Sequence, residues 1–309
     1  MAESGYGFPC GWRDDSTQLK GFTRLTLLSQ VAVLIKKKAE TNTKELPMLT
    51  EQQITHFQTF GFLIFRQLFN SDELKTIHAE FKHGLESAYR DQPYDGTRRY
   101  WVMMMGPETP FLATLLEDPR FCETAEQLYG EDVMGVGADA NRYVGNTNWH
   151  PDHDVNPAKD CYGVKFAYYL EPVDADSGAL RLIPGSHKNP LHNELRENMG
   201  QLGLEICDVP SFVCKSEPGD VVAFDMRCWH ASWGGSNDRW MCTLVYYNNP
   251  KTPEEETATR IRAMRNAEST ARFNRPGEPL YPPHWIENHG RSEKRQQWID
   301  RMRGLGFFD

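Results

Sequence analysis

A histidine and a carboxylate two residues apart are the residues of this chain most able to do chemistry. His150 and Asp152 lie in the run 148–154. If this run is a strand, both side chains project from one face, because successive residues alternate between faces. An imidazole and a carboxylate so placed are two of the three ligands of the non-haem Fe(II) facial triad. The neighbouring His153 and Asp154 are interpreted as groups behind the ligands or in a loop.

The His-x-Asp spacing alone does not indicate a metal site. Later segments of the chain supply the further residues that such a site needs. His230 follows a predicted strand over Val221–Asp225 and is the expected third ligand. Arg239 opens the next predicted strand, and a guanidinium forks onto a carboxylate, which suits the far carboxylate of a dicarboxylic cosubstrate. Ser232, two residues beyond His230, could add a hydroxyl hydrogen bond. The run 176–187 ends in the turn sequence Pro-Gly-Ser-His.

The ordered set of motifs resembles the phytanoyl-CoA dioxygenase-like Fe(II)/2-oxoglutarate oxygenases. The matching pieces cover about 48–250 and are a helix leading into GFLIF over 51–65, His-x-Asp at 150–152, SGALRLIPGSH at 177–187, PGDVVAFD at 218–225, and HAS…R from 230 to 239. The resemblance implies a mainly β protein with helical additions around a double-stranded β-helix, or jelly-roll, core. It also implies Fe(II) held by His150, Asp152 and His230. It further implies 2-oxoglutarate held by Arg239 and Ser232, with O2 as the other cosubstrate.

The same resemblance implies the reaction class. Such an enzyme hydroxylates an unactivated C–H bond of a small molecule and releases succinate and CO2. Related halogenases replace the carboxylate ligand with a small residue, so Asp152 favours hydroxylation or a desaturation-type variant. Two alternatives stay open. One is a cupin-like metal dioxygenase that does not use 2-oxoglutarate, against which Arg239 and Ser232 argue. The other is a non-enzymatic jelly-roll binding module, which an intact ligand set with a separate carboxylate anchor disfavours.

Other basic residues compete with Arg239 for contact with the cosubstrate or substrate. Lys165 lies on the predicted strand after the His-x-Asp pair, where some other 2-oxoglutarate oxygenases anchor the cosubstrate with a lysine. Lys165 is therefore a competitor of Arg239 or a substrate-facing group. The loop 233–238 is also short compared with many relatives. Arg98 and Arg99 could meet an anionic substrate, but a solvated loop is the better interpretation.

Elements that would position these residues are predicted from periodicity and turn residues. Thr50 caps a first helix, without its usual capping-box partner, and Gly61 ends it before a buried strand. A second helix starts at Ser71, a third covers 111–129, and a later one covers 254–273. Short strands separated by turn residues predict a sandwich or jelly roll rather than alternating strand–helix units. They are expected at 138–144, 163–170, 179–183, 211–215, 221–225 and 240–247.

The domain organisation follows from a change of pattern along the chain. Residues 1–47 are an N-terminal extension of uncertain order, and Met48 is a candidate start of the functional protein. Residues 48–309 are expected to be one oxygenase domain. It comprises a helical N-terminal part 48–130, a jelly-roll core 131–250 and a C-terminal helical segment 251–309.

Composition limits the partners. The chain has 309 residues, 39% of them hydrophobic and 25% charged, as in ordinary globular proteins. Its net charge of −9 argues against a nucleic-acid or anionic-membrane binder. No apolar run reaches the ~18–20 residues of a membrane helix. The seven cysteines include no CxxC pair, which favours reduced thiols in a cytoplasmic protein. The expected partner is a small-molecule substrate. No ectoine-hydroxylase-type signature or CoA-binding loop identifies it, and the oligomeric state is unknown.

Overall fold

The computed structural model describes residues 49–130, 132–288 and 292–309 of the chain. The predicted extension 1–47 and the candidate start at Met48 lie outside these residues. Within the described ranges the helices are α1 (Glu51–Phe60), α2 (Ser71–Ala88), α3 (Pro110–Thr114), α4 (Pro119–Tyr129), α5 (Leu191–Asn198), α6 (Pro253–Ala267), α7 (Ser269–Arg272), α8 (Pro283–Glu287) and α9 (Glu293–Gly304). The strands are β1 (Phe62–Phe65), β2 (Tyr100–Met103), β3 (Met134–Tyr143), β4 (Thr147–His150), β5 (Gly163–Tyr169), β6 (Leu180–Leu182), β7 (Phe212–Val213), β8 (Val221–Asp225), β9 (His230–Ser232) and β10 (Arg239–Tyr247).

These strands form two antiparallel sheets. The larger sheet has the order β1-β8-β5-β10-β3-β2 and the smaller one the order β4-β9-β6-β7. Along β5, Val164, Phe166 and Tyr168 pack into the core on the helical side of the larger sheet. Ala167 and Tyr169 pack into a second core with residues of β6 in the smaller sheet. Because neighbouring strand residues point to opposite faces, this alternation buries both faces of the larger sheet. The predicted jelly-roll core with helical additions is confirmed.

The helices that cover the outer face of the larger sheet do so through apolar stripes. Ile77, Phe81 and Leu85 of α2 are four residues apart and buried, as expected for one face of a helix. Near the other end of the chain, Trp298 and Met302 of α9 join the same core. Burial of large apolar side chains of this kind stabilises the fold by roughly 1.5–3 kcal/mol each.

The start of α1 corrects one sequence expectation. The Thr50 hydroxyl accepts a hydrogen bond from the backbone N–H of Gln53 at 3.2 Å, and the Gln53 side chain accepts one from the Thr50 N–H at 2.9 Å. The capping box is therefore complete, because glutamine three residues after the cap serves as the partner. Gly61, with a φ of 85°, ends the helix as predicted.

The predicted helix over 111–129 is wrong as one element. It is divided into α3, a 3-10 turn at Leu115–Glu117, and α4. Asp118 is extended there, and its side chain accepts from the Arg120 N–H at 2.9 Å, which caps α4. Pro119 has no N–H to continue a preceding helix, so it suits the first position of a new one. The predicted helix over 254–273 is likewise divided, into α6 and α7.

Strand predictions hold best where strands are long. The predictions 163–170, 221–225 and 240–247 correspond to β5, β8 and β10, whereas β3 begins four residues before the predicted 138. The strands β2, β4 and β9 were not predicted as elements.

The internal domain boundaries at residues 130 and 250 stay a prediction. Strands β1 and β2 of the larger sheet precede residue 130. Over the described ranges, no helix has the length and apolar character needed to cross a membrane.

Candidate metal and cosubstrate site

Two imidazoles face each other across the pairing of β4 with β9. His150 lies opposite His230 in the antiparallel register. The Nδ1 atom of His150 is 2.8 Å from the Asn148 carbonyl oxygen, and that of His230 is 2.9 Å from the Cys228 carbonyl oxygen. A carbonyl only accepts, so each Nδ1 carries the proton and donates. Each Nε2 therefore keeps its lone pair for a ligand, as metal-binding histidines do.

Asp152 reaches the imidazoles by a route that strand alternation did not predict. Strand β4 ends at His150, because Pro151 has no N–H for the sheet ladder. The backbone N–H of Asp152 instead donates to the Met226 carbonyl at 2.9 Å. This turn places Asp152 Oδ1 3.8 Å from His150 Nε2 and Oδ2 3.9 Å from His230 Nε2. An ion bonded at about 2.0–2.2 Å to each N and O donor spans such separations, and all three donor atoms lie within 4.8 Å of one another.

Charge at this cluster suits a divalent cation. Burial alone would raise the pKa of Asp152, but Lys165 and the two imidazoles outweigh it and hold that pKa well below its ordinary value. Burial, together with repulsion from His150, lowers the pKa of His230 to about 3. At neutral pH the carboxylate is therefore ionised and His230 is uncharged, which are the forms that bind metals.

The side chain of Lys165 is paired with a carboxylate and does not stand alone as a cosubstrate anchor. It lies on the face of β5 that points toward the smaller sheet, and its Nζ donates to Asp152 Oδ2 at 2.6 Å. Each of the two side chains is about one-fifth exposed. Lys165 therefore contacts the proposed metal ligand directly, a position that the sequence did not predict.

Arg239 and Ser232 are in direct contact and form a second part of the candidate site. Arg239 is 2% exposed, its Nη2 donates to the Ser232 hydroxyl at 3.1 Å, and its Nη1 donates to the Gly145 carbonyl at 3.1 Å. Its Nε has no hydrogen-bond partner. Within the described ranges no carboxylate lies within 4.0 Å of this guanidinium, whereas the guanidinium groups of Arg120, Arg227 and Arg295 have acidic partners. A buried charge without a counterion is costly, so the arrangement is suited to an anionic ligand.

Two glycines make room for this guanidinium. A Cβ atom built on Gly178 or on Gly235 would overlap Arg239 Nη1. Gly178 also has a φ of +92°, in the region that only glycine adopts readily. Sequence reasoning missed Gly235, because the pair Gly234–Gly235 has the form of an ordinary turn signal.

We expect Gly235→Ala to displace Arg239 and weaken binding of a carboxylate ligand by roughly tenfold, since overpacking costs about 1–3 kcal/mol. Metal affinity should be unchanged, because Gly235 does not contact the three donor residues. Gly200→Ala is the control, since a Cβ there meets nothing within 4 Å. Calorimetric titration of the metal-loaded variants with 2-oxoglutarate measures the effect. Equal affinity of both variants for 2-oxoglutarate would contradict the packing argument.

All six predicted residues line one narrow cavity of about 90 Å³ between the two sheets. Arg99 lines it too. It lies in a loop as expected, just before β2, but it is half-buried rather than solvated, whereas Arg98 is exposed as expected. Arg99 donates through Nε to Asn141 Oδ1 at 2.9 Å, and its guanidinium lies 4.2 Å from the centre of the Tyr143 ring. The missing signal was β2, which places Arg99 beside the cavity.

His153 lies next to the cluster but belongs to a different group. With Asp160 and Cys161 it forms a second set of potential ligand atoms. His153 Nδ1 donates to the Cys161 carbonyl at 2.6 Å, and Asp160 forms an ion pair with Arg262. Burial, followed by the charge of Arg262, lowers the pKa of His153 to about 4. Since these atoms already have partners, His153 is a structural group behind the ligands, as expected.

Comparison with known proteins places these features in a family. The family model described as Phytanoyl-CoA dioxygenase (PhyH) matches residues 57–240. An ectoine dioxygenase of Bordetella bronchiseptica is 25% identical over 156 residues, covering 45% of this chain and 50% of that protein. The ectoine dioxygenase of Stutzerimonas stutzeri is 23% identical over 246 residues, covering 65% of this chain and 77% of that protein. The chain thus spans about half the length of the first of these relatives.

Solved structures agree in fold. HygX from Streptomyces hygroscopicus, with nickel and 2-oxoglutarate bound, superposes with a TM-score of 0.54 at 21% identity, covering 67% of this chain and 90% of that chain. EctD from S. alaskensis, with bound Fe, gives a TM-score of 0.52 at 21% identity, covering 70% and 83%. The family match extends over more than half of the sequence, from α1 to the start of β10. The chain belongs to the phytanoyl-CoA dioxygenase (PhyH) family.

Proposed function

We propose that this protein is an Fe(II)/2-oxoglutarate-dependent oxygenase that hydroxylates an unactivated C–H bond of a small molecule, with release of succinate and CO2. One observation carries the proposal. A three-donor group of two imidazoles and a carboxylate shares a cavity with a buried guanidinium that has no acidic partner within the described ranges. The first feature suits the metal, and the second suits the dicarboxylate.

Each of these side chains has a separate task in the proposed reaction. His150, Asp152 and His230 would hold Fe(II) from one side, which leaves its remaining positions open to exogenous ligands. Arg239 and Ser232 would hold the far carboxylate of 2-oxoglutarate and so fix its orientation. Bound iron and 2-oxoglutarate supply the oxidising chemistry with O2, and the protein selects the carbon that reacts.

The relatives support this class and leave the substrate open. HygX was solved with nickel and 2-oxoglutarate, and EctD with Fe. The name ectoine dioxygenase indicates a small-molecule substrate for those relatives, and a small molecule is proposed here without assigning ectoine. Arg99 adds a positive charge to the cavity wall. The six cysteines of the described ranges are free thiols, which supports a reducing, cytoplasmic location as part of the proposal.

The test is an anaerobic titration of the protein, first with Fe(II) and then with 2-oxoglutarate, followed by exposure to O2 with pooled small-molecule substrates. We expect a visible charge-transfer absorption on adding 2-oxoglutarate, and succinate release that rises when the pool contains the substrate. O2 uptake without succinate would favour the 2-oxoglutarate-independent dioxygenase. Failure to bind Fe(II) would favour the non-enzymatic binding module.

A further inference from the structure

The loop that carries Asp152 depends on a residue far along the chain. This loop, 151–162, joins β4 to β5, and Asp152 follows the end of β4 by two residues. The Asp152 N–H donates to the Met226 carbonyl at 2.9 Å, and the Asp152 carbonyl accepts from Arg262 Nη2 at 3.0 Å. Arg262 belongs to α6, which lies beyond the range 57–240 matched by the family model.

Arg262 also holds the far end of the same loop. Its Nε donates to Asp160 Oδ1 at 2.9 Å, and its Nη2 contacts Asp160 Oδ2. The Asp160 side chain is 5% exposed, and its Oδ1 also accepts from the Cys161 N–H at 3.0 Å. One guanidinium therefore connects Asp152 with Asp160, eight residues later, by donating to both. A planar fork with five donors can do this, whereas a lysine ammonium acts as a point charge.

The helix that presents Arg262 is itself held in place. Thr252 and Glu255 form a capping box at the start of α6. Glu256 forms an ion pair with Arg301 of α9 at 2.8 Å, and Arg301 also donates to the Pro250 carbonyl. These contacts fix α6 at its first turn. Arg262 therefore constrains the position of the loop more than the loop constrains the position of Arg262.

We infer that Arg262 is a positioning residue for the metal site, which holds the 151–162 loop so that the Asp152 carboxylate meets both imidazoles. The inference rests on the proposed function, because it assumes that Asp152 binds the metal. Arg262 touches neither imidazole nor the cavity, so its effect is transmitted through the Asp152 backbone. Groups behind metal ligands typically change metal affinity by about 10–100-fold when removed.

The test compares Mn(II) affinity with the stability of the metal-free protein. Arg262→Met should weaken Mn(II) binding by about 10–100-fold. Arg262→Lys should recover little of it, because the charge returns without the fork. Arg265→Met is the matched control. Arg265 lies about one turn later on α6 and lines the same surface groove as Arg262. Within the described ranges its side chain forms no ion pair. This variant should bind Mn(II) like the wild type.

A double variant separates positioning from stability. Arg262→Met leaves Asp160 buried without its partner, so its melting temperature should fall. Adding Asp160→Asn removes that unpaired charge and should recover much of the stability, while Mn(II) affinity stays low. Wild-type Mn(II) affinity in Arg262→Met, or its recovery together with stability in the double variant, would overturn the inference alone. A wild-type protein that binds no Mn(II) or Fe(II) would overturn the proposed function, and the inference with it.

Discussion

Replacing His230 by alanine is expected to weaken Fe(II) binding by more than ~100-fold. Loss of a residue that only supports a metal ligand typically weakens binding by up to about 100-fold, and loss of a ligand itself should cost more. His230 would supply one of three protein donors, and its Nε2 lies 3.9 Å from Asp152 Oδ2. With a pKa of about 3 it is uncharged at neutral pH, so the wild-type donor needs no deprotonation there. Anaerobic titration with Fe(II), or with Mn(II) as a redox-stable substitute, measures the loss.

His192→Ala is the matched control for this prediction. His192 is as buried as His230, and its Nδ1 also lies at hydrogen-bond distance from carbonyl oxygens, those of Ser186 and Arg227. Its Nε2 contacts Arg196 rather than a carboxylate. Both variants lose a buried ring and should lose comparable stability, about 1–3 kcal/mol for the unsatisfied carbonyls. Equal Fe(II) affinity of the two variants would show that His230 is not a ligand.

The sequence predicted that His150 and Asp152 come together, but it did not predict the backbone geometry that brings them together. The pairing of His150 with Asp152 was derived from strand alternation, but β4 ends at His150. Asp152 turns back because its N–H bonds to the carbonyl of Met226, a residue 74 positions later. A contact that distant leaves no trace in local spacing. The motif therefore indicated two residues that do come together, but for a geometric reason that was wrong.

The parts of the fold that were not predicted share a physical cause. Strands β5 and β10 have seven and nine residues, most of them apolar, and this pattern is visible in the sequence alone. Strands β2, β4 and β9 have three or four residues, too few for a pattern to be visible in the sequence, and they are recognised as strands only through their pairing with β3, β9 and β6. Without β2 the position of Arg99, the loop residue just before this strand, relative to the cavity could not be predicted, and Gly235 could not be recognised before Arg239 was seen packing on it.

Replacing Arg239 by methionine should abolish tight 2-oxoglutarate binding without destabilising the metal-free protein. Truncating one partner of a buried, hydrogen-bonded charge pair costs about 2–5 kcal/mol of binding, which corresponds to about 30- to 4,000-fold in affinity. The metal-free protein should melt at the same temperature or higher, because the wild type buries this charge without an acidic partner in the described ranges. Thermal shift with and without 2-oxoglutarate measures both effects. In the wild type, 2-oxoglutarate at about 100 times its dissociation constant adds about 2.7 kcal/mol of stability.

Comparison with Lys165→Met decides which cation anchors the cosubstrate. Lys165 Nζ is 2.6 Å from Asp152 Oδ2, so it already has an acidic partner, whereas Arg239 has none in the described ranges. We therefore expect Lys165→Met to change metal affinity and to leave 2-oxoglutarate affinity of the metal-saturated protein within a few-fold of wild type. Arg142→Met is the control for loss of an arginine elsewhere in the same sheet, since Arg142, on β3, pairs with Asp238 at 2.6 Å outside the cavity. If Lys165→Met lost 2-oxoglutarate binding and Arg239→Met kept it, the anchor would be the lysine, and the unpaired guanidinium would need a different anionic ligand.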